Sequence, residues 1–282
     1  MILKKNTFIF LILIYLSLIV GFFTGEDVIG GAINDYKGHS HIAERFNENF
    51  LFTLFNYNEL GHRHSPIFYM LKSITLYFGE IGQKVFFLHL FLLIPIYFYK
   101  CLKIRFNDVS KNYLKLLAAI ILLFPTFRAY AIWPDPHLLG VLFFIISIFY
   151  YLKMKKNLKP FQNSLLNTFF LSLAAYTSPN FGFFVIFFFL EFFKKFNFSK
   201  EILLISLLNV ILATPFFYYL FYLDVNFIFN DDSWDIGDNF YSLNNISNKI
   251  IIIISLFLFY LFPLILTRLI NIKYKFKMVP YN

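Results

Sequence analysis

An all-α bundle that crosses a membrane several times is the fold this sequence predicts, and three observations predict it. Of its 282 residues, 59% are hydrophobic and only 15% charged, where soluble domains carry about 25% charged residues. The apolar residues fall into separate runs, most of helical rather than strand length. The charges between those runs are sorted by sign along the chain, as loops on two sides of a membrane are. One long polar stretch, residues 24–82, interrupts the pattern and holds four of the six histidines and seven of the sixteen acids.

The first run, 7–23 (TFIFLILIYLSLIVGFF), follows Met1-Ile-Leu-Lys-Lys-Asn6. No small-x-small cleavage site comes after it, so it reads as an uncleaved first span. Further runs at 84–100, 114–130, 137–152, 161–177, 180–193, 201–223 and 250–267 bring the expectation to about eight spans in one integral domain, 1–282. Several are shorter than the roughly 20 residues a bilayer needs, and snorkelling lysines and bundle packing would cover the difference.

With the N-terminus in the cytoplasm, the inside segments hold 18 of the 25 basic residues and, of the acids, only Asp108, Glu191 and Glu201. Every inside loop is then basic. The net charge of +9 belongs to this asymmetry and to membrane lipids, not to nucleic acid. The single cysteine, Cys101, excludes an intramolecular disulfide or a cysteine metal cluster. The outside face collects the 24–82 loop, the segment Arg128 to His137, the Thr177-Ser178-Pro179-Asn180 turn and an acidic loop, 224–249.

Within the first loop, Ile42, Phe46, Phe50, Leu51, Leu54 and Phe55 recur at helical spacing opposite Glu44, Arg45, Asn47, Glu48 and Asn49. That pattern predicts a helix over 40–56 lying in the membrane interface. A second helix is expected from Ser65-Pro66 to about Gly79, capped by the serine. Asp135-Pro136 and Ser178-Pro179 repeat the start signal. Three helix N-termini would then face the outer surface, where their dipoles favour an anion.

Asp35 stands about twelve residues past the first span, with His39 and His41 following. Such an acid can take a proton from an acceptor hydroxyl or help hold a divalent cation; as a bland alternative it is a solvated turn residue ahead of Gly38. Glu26 and Asp27 compete for the same role, although solvation at the membrane edge explains them. In His62-Arg63-His64 a guanidinium sits between two imidazoles, ready for a phosphate or for lipid headgroups. The spacing of His39, His41, His62 and His64 matches no standard zinc pattern. Asp135 is explained as a helix cap, whereas Arg128 has no such explanation and is the stronger candidate for a donor phosphate. His39, His41, His62, His64, Asp135 and His137 are the candidate substrate-binding residues. Asp231, Asp232, Asp235 and Asp238 lack the glycine and terminal glutamate of an EF-hand and read as a solvated loop.

A first span, a long outside loop with an early acid and the aromatic helix HSPIFYMLKSITLYFG together resemble the GT-C superfamily of polytopic glycosyltransferases, which includes protein mannosyltransferases and lipid A aminoarabinose transferases. LLFPTFRAYAIWPDPHLLGVLFFIISIFYYLKMKK is similar to that family's third and fourth helices, and LAAYTSPNFGFFVIFFFLEFFKK to its next hairpin. The likeness covers 20–223 in layout through short motifs. It implies transfer of a sugar from a polyprenyl-phosphate carrier to an acceptor at the outer face, with inversion, in a bacterial inner or plasma membrane. Asp35 would take the family's first-loop acid position, as base or metal ligand. Many members carry a contiguous acid pair there, and here the pair Glu26-Asp27 lies earlier. Relatives continue past the eighth span, so the resemblance implies a minimal module, a fragment or an inactive relative. The competing class is a non-enzymatic membrane protein, either a flippase or transporter for lipid-linked sugars or an assembly subunit. A transporter wants polar or broken-helix features at midplane, whereas here the polar residues crowd one surface.

Overall fold

The computed structural model describes residues 2–60 and 64–225, together with 251, 254 and 255. Among these residues the chain is helical throughout, with no strand. The expected span 250–267 and most of the 224–249 loop lie outside the described residues.

Helix α1 (Ile2–Thr24) buries Ile14 and Leu18 and leaves Phe8, Leu13, Leu16, Val20 and Phe23 on the surface. Large apolar side chains exposed along a whole helix suit a lipid surround and not water. The chain then turns at Gly25, whose φ of +66° favours glycine. Helix α2 (Ala32–Glu48) starts well before the expected position, and Asn49 separates it from α3 (Phe50–Phe55). The early start has a local cause. Asp27 Oδ1 accepts from the Gly30 and Ala32 amides at 3.0 and 3.3 Å, and Oδ2 from Ile33 at 3.3 Å, so these otherwise open donors are satisfied. Asn49 ends one helix with an extended ψ of 89° and caps the next by accepting from the Phe52 amide. The predicted apolar stripe is divided between the two helices: Phe50, Leu51 and Phe55 of α3 are exposed. Ile42 and Phe46 are buried in the main core with Tyr57 and Phe68, because α2 packs against α4 (Ile67–Thr75).

A run of helix from Ile67 to Arg105, 39 residues, is long and apolar enough to cross a membrane. Gly79, at φ +68°, separates α4 from α5 (Gly79–Phe91), which α6 (Leu93–Arg105) follows. The expected span 114–130 is instead a broken pair. Helix α7 (Lys111–Ala119) ends in a 3-10 turn, and α8 (Pro125–Ile132) leaves it at 67°. Pro125 disfavours helical geometry at Phe124, which adopts ψ 130°. Helix α9 (Pro136–Lys155) matches its prediction, starting at an Asp135 cap that accepts from the His137 amide at 2.7 Å.

Helix α10 (Pro160–Thr177) forms where expected, but its inner face is polar. Asn163, Ser164, Asn167 and Thr168 are buried, and Asn167 donates to the Ser147 carbonyl of α9 at 2.8 Å. Helix α9 comes close to the end of α10 and the turn after it at Gly140, where a Cβ would stand 3.1 Å from Thr177 Oγ1, 3.0 Å from Ser178 Cβ and 3.1 Å from Phe181. The expected span 180–193 is a 3-10 turn (Pro179–Phe183) followed by α11 (Phe184–Phe196). At 1.5 Å per residue α11 is only about 20 Å long. Helix α12 (Lys200–Phe221), with Pro215 inside it, completes the described bundle. Among the described residues four helical stretches are long and apolar enough to cross a membrane, or five if α7 and α8 make one span.

Side-chain bonds collect several helix ends. Arg128 of α8 reaches Glu26 just past α1, Ser65 before α4 donates to the Tyr176 carbonyl near the end of α10, and Tyr219 near the end of α12 donates to the Leu54 carbonyl of α3. Far from this polar end, Lys155 and Lys194 pair with Glu191.

Candidate functional site

The polar end is built in three layers. The first is an ion pair. Arg128 Nε donates to Glu26 Oε1 at 2.7 Å, Nη2 bonds Glu26 Oε2, and the guanidinium also reaches the hydroxyl and carbonyl of Ser17 at 3.2 and 3.0 Å. Those hydrogen bonds hold the Glu26 carboxyl below the usual carboxylate range. The pair rests on Gly21, where any Cβ would collide with both side chains. Arg128, which the sequence left without a structural partner, is therefore tied across the helix bundle, and its fork is already engaged. Glu26 is a counter-ion, with its own carbonyl accepting from Trp133 Nε1. Asp27 is the anchor of α2.

The second is an imidazole cluster. His39 and Asp135 are 5% and 4% exposed, and His39 Nε2 lies 3.4 Å from Asp135 Oδ2. The Tyr69 hydroxyl meets His39 Nδ1 at 3.1 Å, so the ring is held from both sides. The His64 ring stands edge-on to those of His39 and His137, with centroids 5.9 and 5.1 Å apart. His137 Nδ1 meets Ser178 Oγ at 3.2 Å. Only Asp135-Pro136 caps its helix as expected. Ser65 and Ser178 are the hydroxyls that bond across to α10 and α9 instead.

The third layer is a buried lysine that sequence reasoning passed over. Lys72 of α4 is 0% exposed. Its Nζ donates to the Tyr36 carbonyl at 3.0 Å and to Ser40 Oγ at 2.8 Å, and stands 3.8 Å from the Tyr36 ring centroid. A fully buried lysine is rare without such partners. Gln83 ties the layer to α5, accepting from the Tyr36 hydroxyl at 2.9 Å and donating to the Lys72 carbonyl at 2.9 Å. Burial pushes the Tyr36 phenol up to about 12, with the Glu80 charge adding to it. Lys84 covers the Trp133 ring at 3.7 Å. The available signal was a lysine inside the apolar run IFYMLKSIT, one turn after Tyr69.

Asp35 and His41 lie on α2 and not in a turn. His41 is exposed and only 3.9 Å from Glu44, away from the imidazole cluster. Asp35 is exposed in the first turn of α2, one turn before His39. His62 and Arg63 lie outside the described residues, as do Asp231, Asp232, Asp235 and Asp238. Among the described residues, no group of three or more His, Cys, Asp or Glu side chains is disposed to hold a metal ion.

Two apolar clefts open beside this end and share Ser65 and Tyr176. One, of about 460 Å³, lies between α10 and α12. The other, of about 700 Å³, runs from Leu54 and Met70 to Pro215 and Tyr218. A histidine- and acid-lined polar end thus adjoins two hydrocarbon-lined grooves. Comparison of the chain with protein-family models, with curated proteins and with solved structures finds no match in any of the three.

Proposed function

We propose that the chain is a multi-pass membrane glycosyltransferase of the GT-C type, moving a sugar from a polyprenyl-phosphate donor to a lipid, glycan or protein hydroxyl. One observation carries the reading. Of the three acids the first loop offers next to α1, Glu26 is held by Arg128 and Asp27 by backbone amides, while Asp35 is exposed on α2 one turn before His39. Asp35 is the base that takes the proton from the acceptor oxygen as that oxygen attacks the anomeric carbon. The carbon–oxygen bond to the phosphate breaks as the new one forms, so the carbon inverts and the polyprenyl phosphate leaves with the electron pair. In the alternative role, Asp35 would help hold a divalent cation, which would supply charge neutralisation.

His137, half-buried, is assigned to the sugar hydroxyls, and the buried His39, His64, Asp135 and Tyr69 hold the cluster behind it. Arg63 is assigned to the donor phosphate, and Arg128 orients the first loop through Glu26. The clefts beside Ser65 suit the isoprenoid chain, since the lining is almost wholly apolar. Mass spectrometry of cells with and without the protein tests the assignment. Loss of the protein should raise one lipid-linked sugar and remove one surface glycan; unchanged lipid-linked sugars and glycans would sink it.

The reading also includes eight spans, a cytoplasmic N-terminus and an extracytoplasmic site, which the basic connectors support. A reporter fused after Lys156 should report the cytoplasm, and one fused after Asp235 the outside. Finding both in one compartment would overturn the map.

A further inference from the structure

A third cleft lies at the beginning of α1. Its volume is about 580 Å³. Helix α7 contributes Lys111 and Lys115, one turn apart and so on one face, with Ser110 and Asn112 between and before them. Tyr99 of α6 closes one side, and Phe8 and Leu11 of α1 form an apolar wall. Three further details favour an anion beside the lysines. Ser110 does not cap α7, no acid stands in its first turn, and the segment 100–115 has five basic residues against the single acid Asp108. The first amides of α7 add their partial positive charge to that of the two ammonium groups.

The combination is amphipathic. A free phosphate would find the cations, but it has no use for the wall made by Phe8, itself 64% exposed on the outer side of α1. We propose that this cleft between α1, α6 and α7 is a binding site for an anionic phospholipid, with the headgroup phosphate between Lys111 and Lys115 and an acyl chain along Phe8 and Leu11. The site would anchor the broken helix pair α7–α8, which carries Arg128 at its other end, to one leaflet.

Native mass spectrometry of the full chain in detergent micelles tests this with three probes: phosphatidylglycerol, phosphatidylcholine and inorganic phosphate. Phosphatidylglycerol should bind and survive activation, and the other two should not. Each lysine near a membrane surface is worth about 1 kcal/mol towards an anionic lipid, so Lys111→Gln and Lys115→Gln should each weaken it about five-fold and together about thirty-fold. Both lysines are exposed, so folding should be unaffected. Lys156→Gln with Lys200→Gln removes the same charge from other basic connectors and should leave affinity unchanged. Equal weakening by that control pair would reduce the effect to general electrostatics and overturn the site. Equal binding of phosphatidylcholine, or of inorganic phosphate as tightly as phosphatidylglycerol, would overturn it as well.

Discussion

Asp35→Asn should lower sugar transfer by about 10²–10⁴-fold, the usual contribution of a general base, with expression and membrane insertion unchanged. The amide keeps the size of the carboxylate and its place in the first turn of α2, and it removes the charge and the proton acceptor. Because Asp35 is exposed and does not hold the helix start, which Asp27 does, the substitution should leave the fold intact. Glu26→Gln and Asp27→Asn serve as comparisons. Each alters a structural bond, so each should lower the amount of folded protein more than the turnover of what folds. Turnover is measured per folded molecule, with donor and acceptor saturating. Wild-type transfer by Asp35→Asn alongside a dead Asp27→Asn would move the base to Asp27, and transfer surviving in all three would remove general-base catalysis by a first-loop acid.

Breaking the Glu26–Arg128 pair should produce the largest loss of stability from a single charged residue. The guanidinium and carboxylate are 10% and 20% exposed. Removing one partner from a buried pair costs on the order of 3–5 kcal/mol, because the other charge is left without compensation. Arg128→Ala strands the Glu26 carboxylate, and Glu26→Ala strands the guanidinium. The double substitution should cost clearly less than the two single losses combined, and a cycle of unfolding measurements in mixed micelles reads that coupling. Additive losses would mean that the two side chains do not act as a pair. Acid gives an independent check. Arg128 holds the folded-state pKa of Glu26 below its ordinary 4.5, so the folded state binds this proton less readily than the unfolded one. The resulting stability is complete above the ordinary value and is lost as pH falls through the lowered one. Arg128→Ala should flatten that acid limb, and Arg128→Lys should restore only part of it, since a single ammonium cannot reproduce the two-pronged contact.

The imidazole cluster shows where reading by linear spacing stops. His39, His41, His62 and His64 all fall within the first loop, 24–82. On a helix, however, residues two apart point to different sides, so His39 faces α4 and the core while His41 faces away beside Glu44. The partners His39 finds are Asp135 and Tyr69, 96 and 30 residues distant. No local pattern encodes such pairings.

Composition and charge order alone determined the all-helical class, the runs that become α1, α9, α10 and α12, the cap at Asp135-Pro136 and the helix break at Gly79. Each depends on short-range physics: apolar length, proline and glycine geometry, or a side chain bonding an amide two residues away. Tertiary structure alone decided the rest. It buried Ile42 and Phe46 of α2 against α4, gave Arg128 its counter-ion and buried Lys72 beneath Tyr36. These outcomes depend on which distant groups arrive within hydrogen-bonding range. A buried charge or helix face takes whichever partner lowers its desolvation cost most, and packing alone determines which partner is there.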